Sequence, residues 1–176
     1  MRAGRMLVWL VAAMVLCFGV GSVYAEALTP ELAKLKVEAA SKLVAAEGDA
    51  ALAKIKDPNG EFRFAGGEGY IWIHNLEGVM LMHPIKPALD NTNVLAMTDP
   101  DGFTLFVAMN EVVSKNGAGW VPYKWPKPGQ KGAAPKVSYV KLVKNGGKNY
   151  VVGCGLYDVT GADIKAKFPS DAIYTE

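Results

Sequence analysis

The feature that most constrains this chain is a change of hydrophobic period at Asp57-Pro58-Asn59-Gly60. Upstream, apolar residues recur every three or four positions; downstream they fall into short runs rich in β-branched and aromatic residues, separated by turns. A period near 3.6 marks an amphipathic helix and a period of 2 a half-buried strand. The Pro-Asn-Gly stretch between them is turn chemistry. Helices first and strands in succession afterwards predict an α+β chain with an antiparallel sheet, because a parallel sheet needs a helix between each pair of strands.

In the upstream part, Thr29 as cap, Pro30 at the first helical position and Glu31 at the positive end of the dipole predict a helix from Glu26 to about Glu47. Leu28, Leu32, Leu35, Ala39, Leu43, Ala46 and Ala50 form its apolar stripe, and Asp49 is placed to cap a second short helix through Lys56. Downstream, Tyr70–His74 and Val79–Met82 predict a hairpin about the turn Asn75–Gly78. A helix capped by Asp101 is expected from about Gly102 to Lys115. Strands follow at Trp120–Trp125, Lys136–Lys144 and Asn149–Asp158, the last two joined by Asn145-Gly146-Gly147.

The first 25 residues stand apart from this fold. Arg2 and Arg5, an uncharged run from Met6 to Val20, and Val23 and Ala25 at the −3 and −1 positions have the layout of a secretory signal peptide cut after Ala25. That predicts a periplasmic or secreted product. An uncleaved anchor is the alternative, although the run is shorter than the roughly 20 residues a spanning helix needs. Residues 26–56 then form a helical segment and 57–176 the sheet core of one domain. Without Arg2 and Arg5, 17 basic residues face 17 acidic ones, so the domain lacks the positive field that nucleic-acid binding draws on. Cys17 leaves with the leader, which leaves Cys154 alone and rules out an intramolecular disulfide.

Few residues carry chemistry. His74 and His83 match no ligand spacing, and Thr98–Gly102 has Phe103 where a calcium loop needs an oxygen, so neither metal nor cofactor is expected. Cys154 lies in an apolar strand and reads as a core residue. With no nucleophile elbow, zinc helix or phosphate loop, the chain does not read as an enzyme. What stands out is aromatic and basic. Tyr123 and Trp125 share a strand face, Lys136 and Tyr139 follow across a proline-rich loop, His83 ends the early hairpin, and Tyr157 ends the last strand. Gly153 and Gly155 remove side chains in the middle of that strand, which marks a bulge or a close approach. Tyrosine, tryptophan and histidine donors around one lysine suit a small carboxylate. Spacing alone also allows these aromatics, Trp72 and Trp120 included, to be ordinary core.

Seven fragments in order carry a resemblance: Asp57–Phe62, Tyr70–Ile73, Gly78–Pro84, Asp99–Gly102, Gly119–Pro126, Lys136–Val140 and Gly153–Tyr157. Together they resemble the single Cache domain in its small, secreted, stand-alone form. The resemblance implies a PAS-like fold, a long N-terminal helix packed on a five- to six-stranded antiparallel sheet with a cavity under the covering loops. It further implies extracytoplasmic sensing of short organic acids such as acetate, propionate, pyruvate or lactate. By position, Trp72, His83, Tyr123, Trp125, Lys136 and Tyr139 are the implied pocket residues, with Tyr157 beside them. Asp90-Asn91 departs from the glycine expected after His83-Pro84, and an acid there would oppose a carboxylate. A lone sensor of this kind hands its signal to a partner: a membrane receptor, a histidine kinase, or its own copy paired through the N-terminal helix. A ligand-free accessory module of the same fold is the alternative function.

Overall fold

The computed structural model describes residues 26–127 and 130–175; the expected signal peptide lies outside the described residues. Helix α1 spans Pro30–Glu47 and α2 Ala50–Lys56. A two-stranded ribbon, β1 (Arg63–Phe64) and β2 (Gly69–Tyr70), leads into β3 (Trp72–His74) and β4 (Met80–Met82). Helix α3 (Leu105–Asn116) precedes three long strands, β5 (Ala118–Pro126), β6 (Ala133–Asn145) and β7 (Lys148–Tyr157), and α4 (Gly161–Lys167) closes the described helices. The five strands β4-β3-β7-β6-β5 form one antiparallel sheet. The architecture is the expected α+β, PAS-like one, with the N-terminal helix packed on the sheet.

Alternation along each strand divides the sheet into two faces. Ile73, Val137, Tyr139, Val152, Cys154 and Leu156 face α1 and share a core with Ala33, Val37, Ala40 and Val44. Val121, Val140 and Val151 face the other way, under Phe106, Met109 and Val113 of α3. Because β3 lies beside β7, Trp72 comes opposite Gly153 and the first hairpin meets the last strand in mid-sheet. That juxtaposition positions the site.

Several local expectations need correction. Thr29 does cap α1, accepting from the Leu32 N–H at 3.2 Å. The buried stripe, however, runs through Leu32, Ala33, Val37, Ala40, Ser41 and Val44, while Leu35 is 63% exposed. The sheet presents Trp120, Tyr139 and Tyr150 to this helix, and alanines let the backbone close over such bulky rings. Asp49 caps nothing; its carboxylate accepts from Tyr150 Oη at 2.7 Å and pairs with Lys148. Asp101 caps nothing either, and α3 begins later, at Leu105. Asp99 instead shapes that turn, accepting the backbone N–H groups of Asp101, Phe103 and Lys124 at 2.9–3.0 Å. Such full use of its oxygens explains why burial does not raise its pKa: the hydrogen bonds win and hold it low.

The last described segment was not anticipated. The Trp120 N–H donates to Ala172 O and its carbonyl accepts from the Tyr174 N–H, so residues 172–174 cover the outer edge of β5. An open strand edge invites pairing with another chain, and at Trp120 this edge is covered.

Candidate ligand-binding site

Residues separated by two along a strand share a face. On the α3 side of the sheet, Tyr70 and Trp72, Tyr123 and Trp125, Lys136 and Ser138, and Tyr157 therefore come together, around the gap left by Gly153 and Gly155. The glycines have a direct role. A Cβ on Gly155 would sit 2.2 Å from Lys136 Cε and 2.7 Å from Ser138 Oγ, and one on Gly153 would sit 2.4 Å from the Trp72 ring. The close approach expected there is thus made by Lys136 and Trp72, whose side chains lie flat across β7.

Lys136 is the centre of the cluster. It is 2% exposed, and its Nζ donates to Tyr70 Oη at 3.2 Å and Tyr157 Oη at 3.3 Å. Four rings surround the amine, with centroids at 4.5 Å (Tyr157), 5.4 Å (Tyr70) and 5.9 Å (Trp72 and Tyr123). Among the described residues no carboxylate lies within ion-pair distance of it. Cation–π contacts are worth about 0.5–2 kcal/mol each. Burying an ammonium costs several kcal/mol even after relaxation. Rings and phenols therefore compensate the charge only in part. Burial brings the Lys136 ammonium down to about 7, against the pull of Cys154 and with the help of Lys86.

The phenol partners of Lys136 accept from it. Tyr157 Oη gives its proton to Pro126 O at 2.9 Å, which leaves its lone pairs to Lys136. Tyr123 Oη and Ser138 Oγ bond each other at 2.8 Å. The Trp72 indole N–H is buried with no partner. A buried donor without an acceptor costs about 1–3 kcal/mol, so this N–H is a natural place for a ligand oxygen. His83, 8% exposed, has its Nδ1 occupied as acceptor by the N–H groups of Ile85 (3.3 Å) and Lys86 (3.0 Å). Its proton is thereby held on Nε2. Burial, with the charge of Lys136 adding to it, lowers His83 to about 4, so the ring is a neutral donor at physiological pH.

Asp90 is engaged on both oxygens, although its charge opposes the lowering of His83. Its Oδ1 accepts the His83 N–H at 2.7 Å and its Oδ2 pairs with Lys56 at 2.6 Å. It fixes the His83 turn. A cavity of about 190 Å³ lies against the cluster, lined by Tyr70, His83, Lys86, Trp125 and Tyr157 among others. A larger cleft of about 470 Å³ shares Lys127, Gln130 and Tyr157 with it and is bordered by Arg63.

Six of the seven residues expected in the pocket, Trp72, His83, Tyr123, Trp125, Lys136 and Tyr157, are on this side of the sheet. Tyr139 is not. Three residues from Lys136, it points to the opposite face, where it packs on Trp120 with ring centroids 4.9 Å apart and donates to Glu38 at 3.3 Å. The reading from sequence passed over Tyr70 and Ser138, each two residues from an expected site residue and so on the same face. Cys154 also points away from the site; it is fully buried and burial pushes its thiol up to about 12, far from nucleophilic.

The Cache domain family model matches residues 34–166, and the chain belongs to that family. A solved structure described as the structural basis for carboxylic acid recognition by a Cache chemosensory domain is 34% identical, with a TM-score of 0.62 over 73% of this chain and 92% of that one. A periplasmic sensor domain of a chemotaxis protein is 36% identical, with a TM-score of 0.57 over 73% and 90%. Among curated proteins, the methyl-accepting chemotaxis protein McpP of Pseudomonas putida is 40% identical over 101 residues, which is 57% of this chain and 18% of that protein. The sensor histidine kinase MctS of Rhizobium johnstonii is 35% identical over 92 residues, 52% of this chain and 19% of that protein. The match thus spans under a fifth of each curated relative, in one case a chemoreceptor and in the other a kinase. The chain is a single Cache domain, a ligand-sensing module of the extracytoplasmic type.

Proposed function

We propose that this domain binds and senses a short organic acid of the acetate, propionate, pyruvate or lactate class, without turnover, and passes the signal to a membrane receptor or histidine kinase. The observation that carries the reading is the buried Lys136 amine, with no carboxylate beside it among the described residues. An ion pair with a ligand carboxylate supplies what the fold withholds. His83 Nε2–H and the Trp72 indole N–H orient the acid, the Tyr70 and Tyr123 phenols complete the polar wall, and Trp125 shapes the apolar end. The solved relative described by its carboxylic acid recognition supports this ligand class. Residues 26–56 and 57–176 act as one unit here, exported after removal of residues 1–25 to the periplasm or beyond.

Small ligands gain at most about −1.5 kcal/mol per heavy atom. For the four to six heavy atoms of these acids that is roughly −6 to −9 kcal/mol, or dissociation constants from some tenths of a micromolar to some tens of micromolar. The exported protein, whose intact mass checks cleavage after Ala25, is titrated calorimetrically with acetate, propionate, pyruvate and lactate. At least one should bind in that range, and Lys136→Met should abolish the heat. Silence from all four at millimolar concentration, or full affinity in the variant, refutes the reading.

The exposed Leu35 on α1, next to half-buried Ala39 and exposed Ala46, favours a second reading, in which the outer face of this helix meets its own copy or a receptor helix. The two readings are compatible, since the helix and the pocket lie on opposite faces of the sheet.

A further inference from the structure

Without ligand, Lys136 has no counter-charge among the described residues to hold its proton. Every element packed around the amine supplies neutral or positive groups. Tyr70 comes from β2, Trp72 from β3, Tyr123 from β5, Ser138 from β6, and Tyr157 from β7, with Cys154 of β7 on the far side of the strand. The segment after β4 adds His83, held neutral, and Lys86, whose Nζ lies 4.8 Å from the Trp125 ring centroid. Arg63 of β1 stands 5.9 Å from the centroid of the Tyr70 ring. Asp90 of this segment has both oxygens engaged by the His83 N–H and Lys56, and Asp99 and Asp101, which border a cleft with Tyr123 and Lys136, are engaged by backbone N–H groups and by Lys124. In this setting the neutral amine is the better occupant of the empty site.

A carboxylate reverses the preference. Placed against Nζ in a dry ring of aromatics, it favours the charged form by direct ion pairing. We propose that this site takes up its ligand together with one proton, so that above neutral pH the species bound is in net terms the undissociated acid, its proton held on Lys136. The balance is simple. Solvent supplies one proton, the amine becomes an ammonium, the ligand stays a carboxylate, and the pair is neutral. This inference rests on the carboxylate reading and adds the protonation state to it. A sensor built this way reports the product of acid anion and proton, and responds most strongly where metabolism acidifies its surroundings.

The pH window follows from the groups themselves. Burial brings Lys136 down to about 7 in the empty site. Burial also holds His83 at about 4, pushes Tyr157 and Cys154 up to about 12, and raises Tyr70 and Tyr123 well above the usual phenol range. None of these others changes charge between pH 5.5 and 9, so the linkage reads Lys136 alone among the shifted groups.

The test is calorimetry of the whole exported protein with acetate, propionate, pyruvate and lactate at pH 6 and 8.5, in buffers of different ionisation enthalpy. At pH 8.5 the buffer dependence should give close to one proton taken up per ligand, and at pH 6 close to none. The dissociation constant should weaken about thirtyfold between the two. In parallel, NMR of protein labelled with ¹³Cε lysine should show Lys136 titrating near 7 when empty and staying protonated to at least pH 9 with the acid bound. Buffer-independent heats at pH 8.5, equal affinity at both pH values, or an empty-site Lys136 that titrates as an ordinary lysine overturns the proton linkage and leaves the ligand reading standing. No heat with any of the four acids at either pH overturns both.

Discussion

At the scale of single residues, the burial of Lys136 makes stability depend on pH. In the unfolded chain its amine keeps a proton up to about 10.5, whereas in the empty fold it gives the proton up at about 7. The unfolded state therefore holds more protons between these values, and stability rises with pH across them by up to about 1.4 kcal/mol per unit from this group. Lys136→Met, of similar length and uncharged, should stabilise the empty domain at pH 6 by about 1–4 kcal/mol and flatten the rise in stability between pH 7 and 10. Urea unfolding of both proteins at pH 6 and pH 9 measures this. A variant no more stable than the parent at pH 6 would mean that the charge is already well compensated. Tyr139 teaches a different lesson at the same scale. Its odd separation from Lys136 was legible as a change of face, and parity also marked Tyr70 and Ser138. What parity does not reveal is distance across the sheet: Trp72 and Lys136 reach β7 from opposite neighbours.

At the scale of elements, the site depends on a strand that lacks side chains where two others need room. Gly155→Ala would drive its methyl into Lys136 Cε and Ser138 Oγ, and the amine would have to move. Overpacking of this kind costs about 1–3 kcal/mol. Gly155→Ala should therefore lower stability by that amount and weaken acid binding at least tenfold, read by thermal unfolding and calorimetry. Binding unchanged in a folded variant would show that the amine's position does not matter. The glycines were conspicuous in sequence as places of close approach, but which side chains approach is a property of the β3-β7-β6 order. The same holds for α1. Its cap and first turn were readable locally, whereas its buried side depended on which rings the sheet presents. The leucine-bearing stripe reads as the apolar one, yet the helix turns its alanines and valines inward because only small residues fit over Trp120 and Tyr139.

At the scale of the whole molecule, the sheet separates the candidate pocket on the α3 side from α1 on the other. Leu35, the large hydrophobic left most exposed among the described residues, belongs to α1. If α1 pairs with its own copy, Leu35→Glu should shift the protein from dimer to monomer in light scattering while acid affinity stays within about twofold, because the substitution is remote from the pocket. A parent protein that is monomeric at all accessible concentrations rules that pairing out. The C-terminal tail covers the β5 edge at Trp120 by backbone bonds, which leaves the helix face as the more open apolar surface.

The sequence alone determined what depends on near neighbours: the switch of period at Asp57–Gly60, the Thr29 cap, the hairpins and the antiparallel order, and with them the α+β class. Strand alternation also made it readable that Tyr123 and Trp125 share a face, and the structure gathers six of the seven residues implied by the resemblance on one side of the sheet. Only the tertiary structure decided that Lys136 is dry, that no carboxylate of the described residues reaches it, that Asp90 is engaged by Lys56 and the His83 N–H, and that Tyr139 lies behind the sheet. The reason is physical. Hydrogen-bonding and turn preferences act over a few residues, but desolvation and charge act through space, and the groups that strip water from Lys136 come from five strands spread between Tyr70 and Tyr157.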